Sequence, residues 1–196
     1  LHFEGERTEE FRVLRTMKNR FGTTSEIGVF EMAEEGLKEI YDPSRIFLED
    51  TNFNQEGSVV VGTMEGTRPI LVEMQALVSE SNTHLASRTA VGIDNQRLRL
   101  ILAVLEKKLR VPFYKYDVYV NVVGGIKVNE TAVDLPVILS IASNFKNFVI
   151  DSKTLILGEV GLTSEVRGIS FCDERINEAA KMGFDFCILP NANLEN

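Results

Sequence analysis

The sequence predicts a fold of the α/β (α+β) class, and three observations favour it. Hydrophobic residues make up 44% of the 196 residues, which is enough for a sizeable apolar core. Short aliphatic runs typical of strands alternate along the chain with segments whose apolar residues recur every three or four positions. This alternation of strand and helix patterns indicates a sheet with helices packed on it.

The first 56 residues are predicted to form a unit of their own. Residues 11–22 and 27–32 have strand patterns, and Gly22 ends the first of them. Region 26–56 carries nine acidic residues against Lys38 and Arg45, which we interpret as a solvated face plus a linker. Residues 51–57 are polar and lack periodicity, so a boundary there separates the predicted domains 1–56 and 57–196.

The second predicted domain opens with strands at 58–66 and 68–80 that are joined by a tight turn. Leucine and isoleucine residues three or four positions apart then predict a helix over 93–110, with Asp94 as its N-cap. The remaining predicted elements are a strand at 117–125, a helix at 132–143, a strand at 154–162, a helix at 173–183 and a strand at 186–190.

Charge and hydropathy exclude several classes of protein. A net charge of −8 and a pI of about 4.9 exclude a globally basic nucleic-acid-binding protein, although a local basic stripe is compatible with them. No apolar run reaches the roughly 18 residues of a membrane span, and the first residues lack the order of a signal peptide. We therefore expect a cytoplasmic protein with no membrane partner.

The sequence also lacks the motifs of metal and nucleotide sites. The chain has only two cysteines and two widely separated histidines, which predict neither a disulfide framework nor a metal site. A GxxxxGK[ST] loop and a GxGxxG motif are both absent. This chain alone is therefore not expected to bind a cofactor.

Two groups of cations are candidates for phosphate recognition. In the segment Lys18-Asn19-Arg20-Phe21-Gly22, the Lys-x-Arg spacing places two positive side chains on one side of a strand, which suits a triphosphate or a nucleic-acid backbone. Region 87–110 carries a local charge of +4 in an acidic chain, and helix cations can bind a DNA backbone. From composition alone, solvated surface charge is the more common explanation of both groups. The candidate DNA-binding residues are Arg88, Arg97, Arg99, Lys107 and Lys108.

The segment KNRFG, followed by IGVFEM, resembles a signature of the RadA (Sms) family of bacterial DNA-repair proteins, which are RecA-related ATPases. The segments EGTRPILVEMQALV, RLRLILAVLEK, DVYVNVVGG and LGEVGLTSEVR resemble the C-terminal domain of the same family. That domain is similar to the peptidase domain of Lon protease, which has a ribosomal protein S5 domain 2-like fold. The resemblance covers essentially the whole chain.

The resemblance implies that domain 1–56 is the C-terminal remnant of a RecA-like core and that the chain starts at the cut edge of a larger protein. It implies that Lys18 to Gly22 reach the ATP of a neighbouring subunit. ATP and Mg would be cofactors of the full-length protein, and zinc would be held by an N-terminal finger outside this chain. By this resemblance the parent is a DNA-dependent ATPase, and the chain alone is inactive.

The resemblance also bears on proteolysis, because Lon uses a Ser nucleophile with a Lys base. Ala132 stands at the place of the Ser and Asp173 at that of the Lys, so the domain is expected to be catalytically inactive. Thr131 is an alternative nucleophile without a matching Lys. An active Lon-type peptidase and a purely structural oligomerisation module are the alternative functions.

The function implied is that of an ATP-dependent motor in DNA repair and recombination. The motor would process branched intermediates, with single-stranded or branched DNA and the RecA recombinase as partners. The chain would form a homo-oligomer, most simply a hexameric ring, in the bacterial cytoplasm. Within it, this chain would supply the segment 18–22, ring contacts and a DNA-facing surface.

Overall fold

The N-terminal strands form an antiparallel sheet. In a computed structural model that describes residues 2–4, 11–15, 27–33, 35–49, 54–83 and 85–194, this sheet has the order β1-β2-β3-β4. The strands are β1 (His2–Glu4), β2 (Phe11–Arg15), β3 (Ile27–Ala33) and β4 (Gly36–Glu39). The strand expected at 27–32 is confirmed, and the one expected at 11–22 is described over Phe11–Arg15.

A short helix follows in the region that was expected to be a linker. Helix α1 (Pro43–Glu49) starts directly after Asp42, whose carboxylate accepts a bond from the Arg45 amide at 3.3 Å. Proline in the first turn and aspartate before it are helix-start signals. Ser44 and Phe47 of α1 are buried, so the solvated-linker interpretation was wrong for this stretch. The boundary at residue 56 stays a prediction.

The central feature is a mixed sheet of six strands in the order β12-β9-β5-β6-β8-β7. Its pairings β12–β9, β9–β5 and β8–β7 are parallel, whereas β5–β6 and β6–β8 are antiparallel. The strands are β5 (Ser58–Glu65), β6 (Arg68–Glu80), β7 (Arg88–Val91), β8 (Tyr116–Val122), β9 (Thr154–Ile156) and β12 (Phe186–Ile188). This arrangement confirms the α/β class.

Three longer helices pack on this sheet close to their predicted places: α2 (Asn95–Leu109), α3 (Asp134–Lys146) and α4 (Cys172–Lys181). The predicted N-cap of α2 is confirmed, because Asp94 Oδ1 accepts a 2.7 Å bond from the Arg97 amide. The predicted strand 117–125 stops at Val122, where a 3-10 turn over Val123–Gly125 replaces its end. The predicted strand 154–162 is divided into β9 and β10 (Glu159–Val160), and β10 pairs with β11 (Val166–Arg167).

The apolar core lies between this sheet and the helices. Helices α2 and α3 pack on each other, and α3 also lies on β5 and β6. Helices α1 and α4 pack on β6 as well, and they are joined by a 2.7 Å bond from Ser44 Oγ to Glu178 Oε1. Residues Val61, Leu71, Ile141 and Leu155 at the centre are fully buried. This core fixes the segments that carry the charged groups described next.

Candidate functional site

A buried arginine of α4 joins three parts of the fold. Arg175 is 1% exposed, and its guanidinium donates to Glu130 Oε1 at 2.8 Å, to Glu130 Oε2 at 2.6 Å and to the Gly62 carbonyl at 2.6 Å. Glu130 also accepts bonds from the Thr63 hydroxyl at 2.8 Å and the Met64 amide at 2.9 Å. The pair therefore ties α4 and β5 to the segment that leads into α3.

The electrostatics of this pair keep Glu130 ionised. Burial of the Glu130 carboxyl disfavours its charged form, but the hydrogen bonds and positive charge of Arg175 outweigh burial, so the pKa of Glu130 is lowered. Both carboxylate oxygens are engaged with Arg175, as in a bidentate pair. The arrangement holds the backbone in place and offers no proton at neutral pH.

A second ion pair links α2 to α3. Asp134, which is fully buried, accepts a 2.7 Å bond from Arg97 Nε and a 3.0 Å bond from the Val160 amide. A second Arg97 nitrogen, Nη2, also bonds to Asp134. This hydrogen bonding raises the pKa of Arg97 despite its partial burial. Asp134 thus fixes the start of α3 against α2 and β10.

Arg97 separates two adjoining clefts. One cleft of about 350 Å³ lies between α2 and the β10–β11 hairpin, and includes Leu100, Leu162 and Glu165 in its wall. The other, of about 240 Å³, lies at the start of α3 and has a mostly apolar wall. Thr131 stands at the edge of this second cleft, where its hydroxyl donates to Glu159 Oε2 at 2.6 Å.

The structure shows the surroundings of the positions that the resemblance compares with the Ser and Lys of Lon. Ala132 is buried and Asp173 is exposed in the first turn of α4. The hydrogen-bond partner of Thr131 is the carboxylate of Glu159 and not a lysine amine. In the ranges that the structure describes, no three His, Cys, Asp or Glu side chains lie close enough together to hold a metal ion.

The candidate DNA-binding residues fall into two groups. Arg88 and Arg97 have internal partners: Arg88 donates to the Phe113 carbonyl at 2.7 Å and to the Tyr116 carbonyl, and Arg97 binds Asp134. Arg99, Lys107 and Lys108 are exposed on α2. The two groups share one helix and its flanking strand, but the second is the more exposed to solvent.

The structure draws attention to residues that the sequence analysis did not put forward as candidate DNA-binding residues. Arg110 caps the C-terminus of α2 in a left-handed conformation, and the 3-10 turn Phe113–Lys115 follows it directly. Tyr114 in this turn is 65% exposed beside Lys115. The sequence signal that could have identified them is a cluster of basic residues next to an aromatic residue. Glu130 and Arg175 gave no such signal, since charged residues at these spacings are ordinary on helix and loop surfaces.

The segment Lys18, Asn19, Arg20, Phe21 and Gly22 lies outside the described residues. Its predicted contact with ATP therefore stays a prediction. The nearest described elements are β2, which ends at Arg15, and β3, which begins at Ile27.

Comparison with known proteins shows the family to which the chain belongs. A model of the family described as subunit ChlI of Mg-chelatase matches residues 72–193. The chain belongs to this family. The ChlI match includes α2, α3 and α4, and therefore both partners of each of the two ion pairs described above.

Close relatives of this ChlI-family chain are named DNA repair protein RadA. The protein of Halalkalibacterium halodurans is 50% identical over 194 residues, covering 99% of this chain and 42% of that protein. The Bacillus subtilis protein is 50% identical over 195 residues, with 100% and 43% covered, and that of Streptococcus pneumoniae is 47% identical over 194 residues, with 99% and 46% covered. The predicted relationship to RadA is confirmed. The chain spans less than half the length of these relatives.

The helices in the described part of the chain are unlike membrane spans. None of them combines the length and the apolar character that crossing a bilayer requires.

Proposed function

We propose that this chain belongs to a RecA-related, ATP-dependent motor for DNA repair and recombination that processes branched intermediates. Its identity of about 50% to RadA proteins along its whole length is the observation that carries the proposal. In this proposal residues 57–196 form a Lon-protease-like domain that handles DNA. Residues 1–56 are the end of a RecA-like core, and Lys18 to Gly22 contact the ATP of a neighbouring subunit.

The exposed cations of α2 support a DNA-facing surface. Arg99, Lys107 and Lys108 are all exposed on α2, and Arg110 follows at its C-terminal end. Positive side chains that neutralise phosphates release counterions, which favours binding to DNA at low salt. Arg88 and Arg97 would support this surface without contacting DNA themselves. Their guanidinium groups are already bonded, that of Arg88 to backbone carbonyls and that of Arg97 to Asp134.

The burial of Ala132 and the Glu130–Arg175 pair support a role without proteolysis. A Ser–Lys peptidase needs a hydroxyl at the first position and an amine that can accept its proton. The charged groups described near Ala132 are instead held in ion pairs. Cleavage of unfolded casein by the purified chain would contradict this part of the proposal.

The wider context of the proposal follows from the RadA relatives. The parent would use ATP and Mg, carry zinc in a separate finger, and act in the bacterial cytoplasm with DNA and the RecA recombinase. It would assemble as a hexameric ring.

Changing Lys18 or Arg20 to Ala in a full-length relative should then lower DNA-stimulated ATP hydrolysis, because the positive charge that contacts the neighbouring ATP is lost. Unchanged hydrolysis would overturn the proposed contact between subunits.

DNA binding by the chain itself is the direct test. A triple variant Arg99→Ala, Lys107→Ala, Lys108→Ala should bind a single-stranded oligonucleotide more weakly than the unchanged chain. The loss of three phosphate contacts should also make the negative slope of log binding constant against log salt concentration shallower by about 2. Fluorescence anisotropy at several salt concentrations measures both quantities.

A charge-matched control separates specific contacts from net charge. The triple variant Lys127→Ala, Lys153→Ala, Lys181→Ala removes three exposed cations from other surfaces. It should retain the affinity and the salt slope of the unchanged chain. Equal losses in both triple variants, or no DNA binding at all by the unchanged chain, would contradict the proposed surface.

A further inference from the structure

The 3-10 turn Phe113–Lys115 presents one aromatic side chain to solvent and buries another. Phe113 is 1% exposed, whereas Tyr114 beside it is 65% exposed. Tyrosine combines an apolar ring with a polar hydroxyl and is enriched at interfaces, so an outward tyrosine on an ordered turn is a candidate contact residue. The surroundings of the turn show what such a contact would meet.

Several contacts hold the turn on its buried side. The Phe113 ring lies 6.5 Å from the ring of Tyr116 and 5.6 Å from that of Phe145, measured between centroids. The Lys115 amide donates to the Pro112 carbonyl at 2.9 Å, and the Lys115 carbonyl accepts from the Ser81 amide at 2.8 Å. The backbone that carries Tyr114 is therefore fixed on both sides.

Arg88 has a specific part in this anchoring. Its guanidinium donates to the carbonyls of Phe113, at 2.7 Å, and of Tyr116, so it spans the two ends of the turn. Burial lowers the pKa of Arg88, which reflects its place under the turn. Arg88 is therefore a positioning residue for the turn that carries Tyr114.

Lys115 lies beside Tyr114, and further cations precede it closely in the sequence. Lys115 Nζ lies 5.9 Å from the centroid of the Tyr114 ring, and residues 106–115 carry four cations against Glu106 in a chain of net charge −8. Lys146 adds a cation close by, since its Nζ lies 5.3 Å from the ring of Phe145. The nearby carboxylates are Glu80, which is paired with Tyr116 across the sheet, and Asp117, which accepts a bond from the Ser87 amide.

We propose that Tyr114 stacks on an unpaired base of single-stranded DNA, while the cations around it bind the adjoining phosphates. This inference rests on the proposed function and adds the residue that contacts a base. An aromatic ring among cations offers a base both a π-face and a neutralised backbone. A duplex buries the faces of its bases in the stack, so the surface discriminates in favour of single strands.

The proposal is tested with Tyr114→Ala, Tyr114→Phe and Tyr119→Ala. Tyr119 is a matched control, because it is 38% exposed on a strand and outside the basic turn. The probes are a labelled oligothymidylate, an abasic strand of the same length and a duplex. Tyr114→Ala should weaken binding to oligothymidylate by between about 5-fold and about 150-fold, the range for loss of one base–aromatic stack. Tyr114→Phe and Tyr119→Ala should bind as the unchanged chain does.

The abasic strand distinguishes stacking from charge. It carries phosphates without bases, so Tyr114→Ala should leave its affinity unchanged. Arg88→Ala should reproduce the loss on oligothymidylate, and the double variant should lose no more than Tyr114→Ala alone, because Arg88 acts through the turn. Thermal melting of each variant shows whether the fold is retained.

Each result supports or overturns a definite statement. If the unchanged chain binds none of the three probes, the proposed function and this inference both fail. If it binds DNA but Tyr114→Ala retains full affinity for oligothymidylate, only the stacking role fails. An equal loss on abasic DNA would assign Tyr114 to packing or phosphate contact, which also overturns the inference.

Discussion

Arg175 shows how a single charged side chain organises the interior. Its guanidinium lies buried against β5, where an apolar side chain is more usual. Its two bonds to Glu130 stabilise the carboxylate charge, which burial alone would disfavour. Nothing in the spacing of the sequence distinguishes it from Lys181, the exposed cation of α4. Its role depends on Glu130, which is 45 residues away along the chain.

Removing one partner of this pair should destabilise the fold strongly. Arg175→Leu leaves the Glu130 carboxylate without its main partner, and breaking a buried ion pair costs about 3 to 5 kcal/mol of unfolding free energy. Urea denaturation measures the change. Arg167→Ala is the matched control, because Arg167 pairs with Glu165 at an exposed site and should cost less than about 1 kcal/mol. Equal effects of the two changes would refute the structural role of Arg175.

The same pair predicts a dependence of stability on pH. The pKa of Glu130 is lowered in the folded chain from an ordinary value of about 4.3. Its contribution is therefore fully present above that value and is lost as pH falls through the folded pKa. The difference in unfolding free energy between the unchanged chain and Glu130→Gln should shrink as pH falls below about 4. A difference that stays constant down to low pH would contradict the lowered pKa.

At the scale of elements, α1 is the clearest departure from the sequence interpretation. Ser44 Oγ accepts from the Leu71 amide at 3.1 Å and donates to Glu178, so α1 bonds to both β6 and α4. Phe47 packs against the turn that ends β8, where Gly124 has a φ of +84°. Because β3 and β4 lead directly into α1, this helix connects the N-terminal sheet to the larger one.

Gly124→Ala should displace α1. A Cβ at Gly124 would lie 2.6 Å from Phe47 Cδ1, which is closer than side-chain carbons approach, and the positive φ adds strain. Gly183→Ala is the control, since Gly183 has a similar φ of +78° and a Cβ added there would meet only Lys153 Nζ, at 3.9 Å. Thermal melting should show a larger loss for Gly124→Ala. A loss no greater than that of Gly183→Ala would mean that the α1 contact contributes little.

At the scale of the whole molecule, the six-stranded sheet ends in two short edge strands. In the described part of the chain, β7 pairs only with β8 and β12 only with β9. All three residues of β12 are exposed, and Phe186 and Ile188 among them are apolar. Edges at opposite ends of one sheet allow a head-to-tail contact between copies, which forms a ring when the rotation between copies closes.

This geometry supports the assembly part of the proposed function. Light scattering should give a mass of six times the 22.0 kDa chain if it assembles without further domains. Phe186→Asp should lower that mass, because a charge at the apolar edge opposes the contact. Leu162→Asp, an exposed site on the β10–β11 hairpin, should leave it unchanged. A monomer at every concentration would refute ring contacts in this chain.

The sequence determined much of the fold, because local patterns are set by neighbouring residues. Apolar residues three or four positions apart, with Asp94 before them, specify α2, and aliphatic runs specify β5 and β6. The motif resemblance identified the relatives named RadA. The sequence also located the basic region around α2, since charge density can be counted along the chain.

Only the tertiary structure decided which of those charges face solvent. Arg88, Arg97 and Arg99 look alike in the sequence, yet Arg88 lies beneath a turn, Arg97 is bound to Asp134 and Arg99 is exposed. A side chain's partner is set by which distant segments the core brings together. For the same reason the packing of α1, the Glu130–Arg175 pair and the outward position of Tyr114 follow from the fold and not from local sequence.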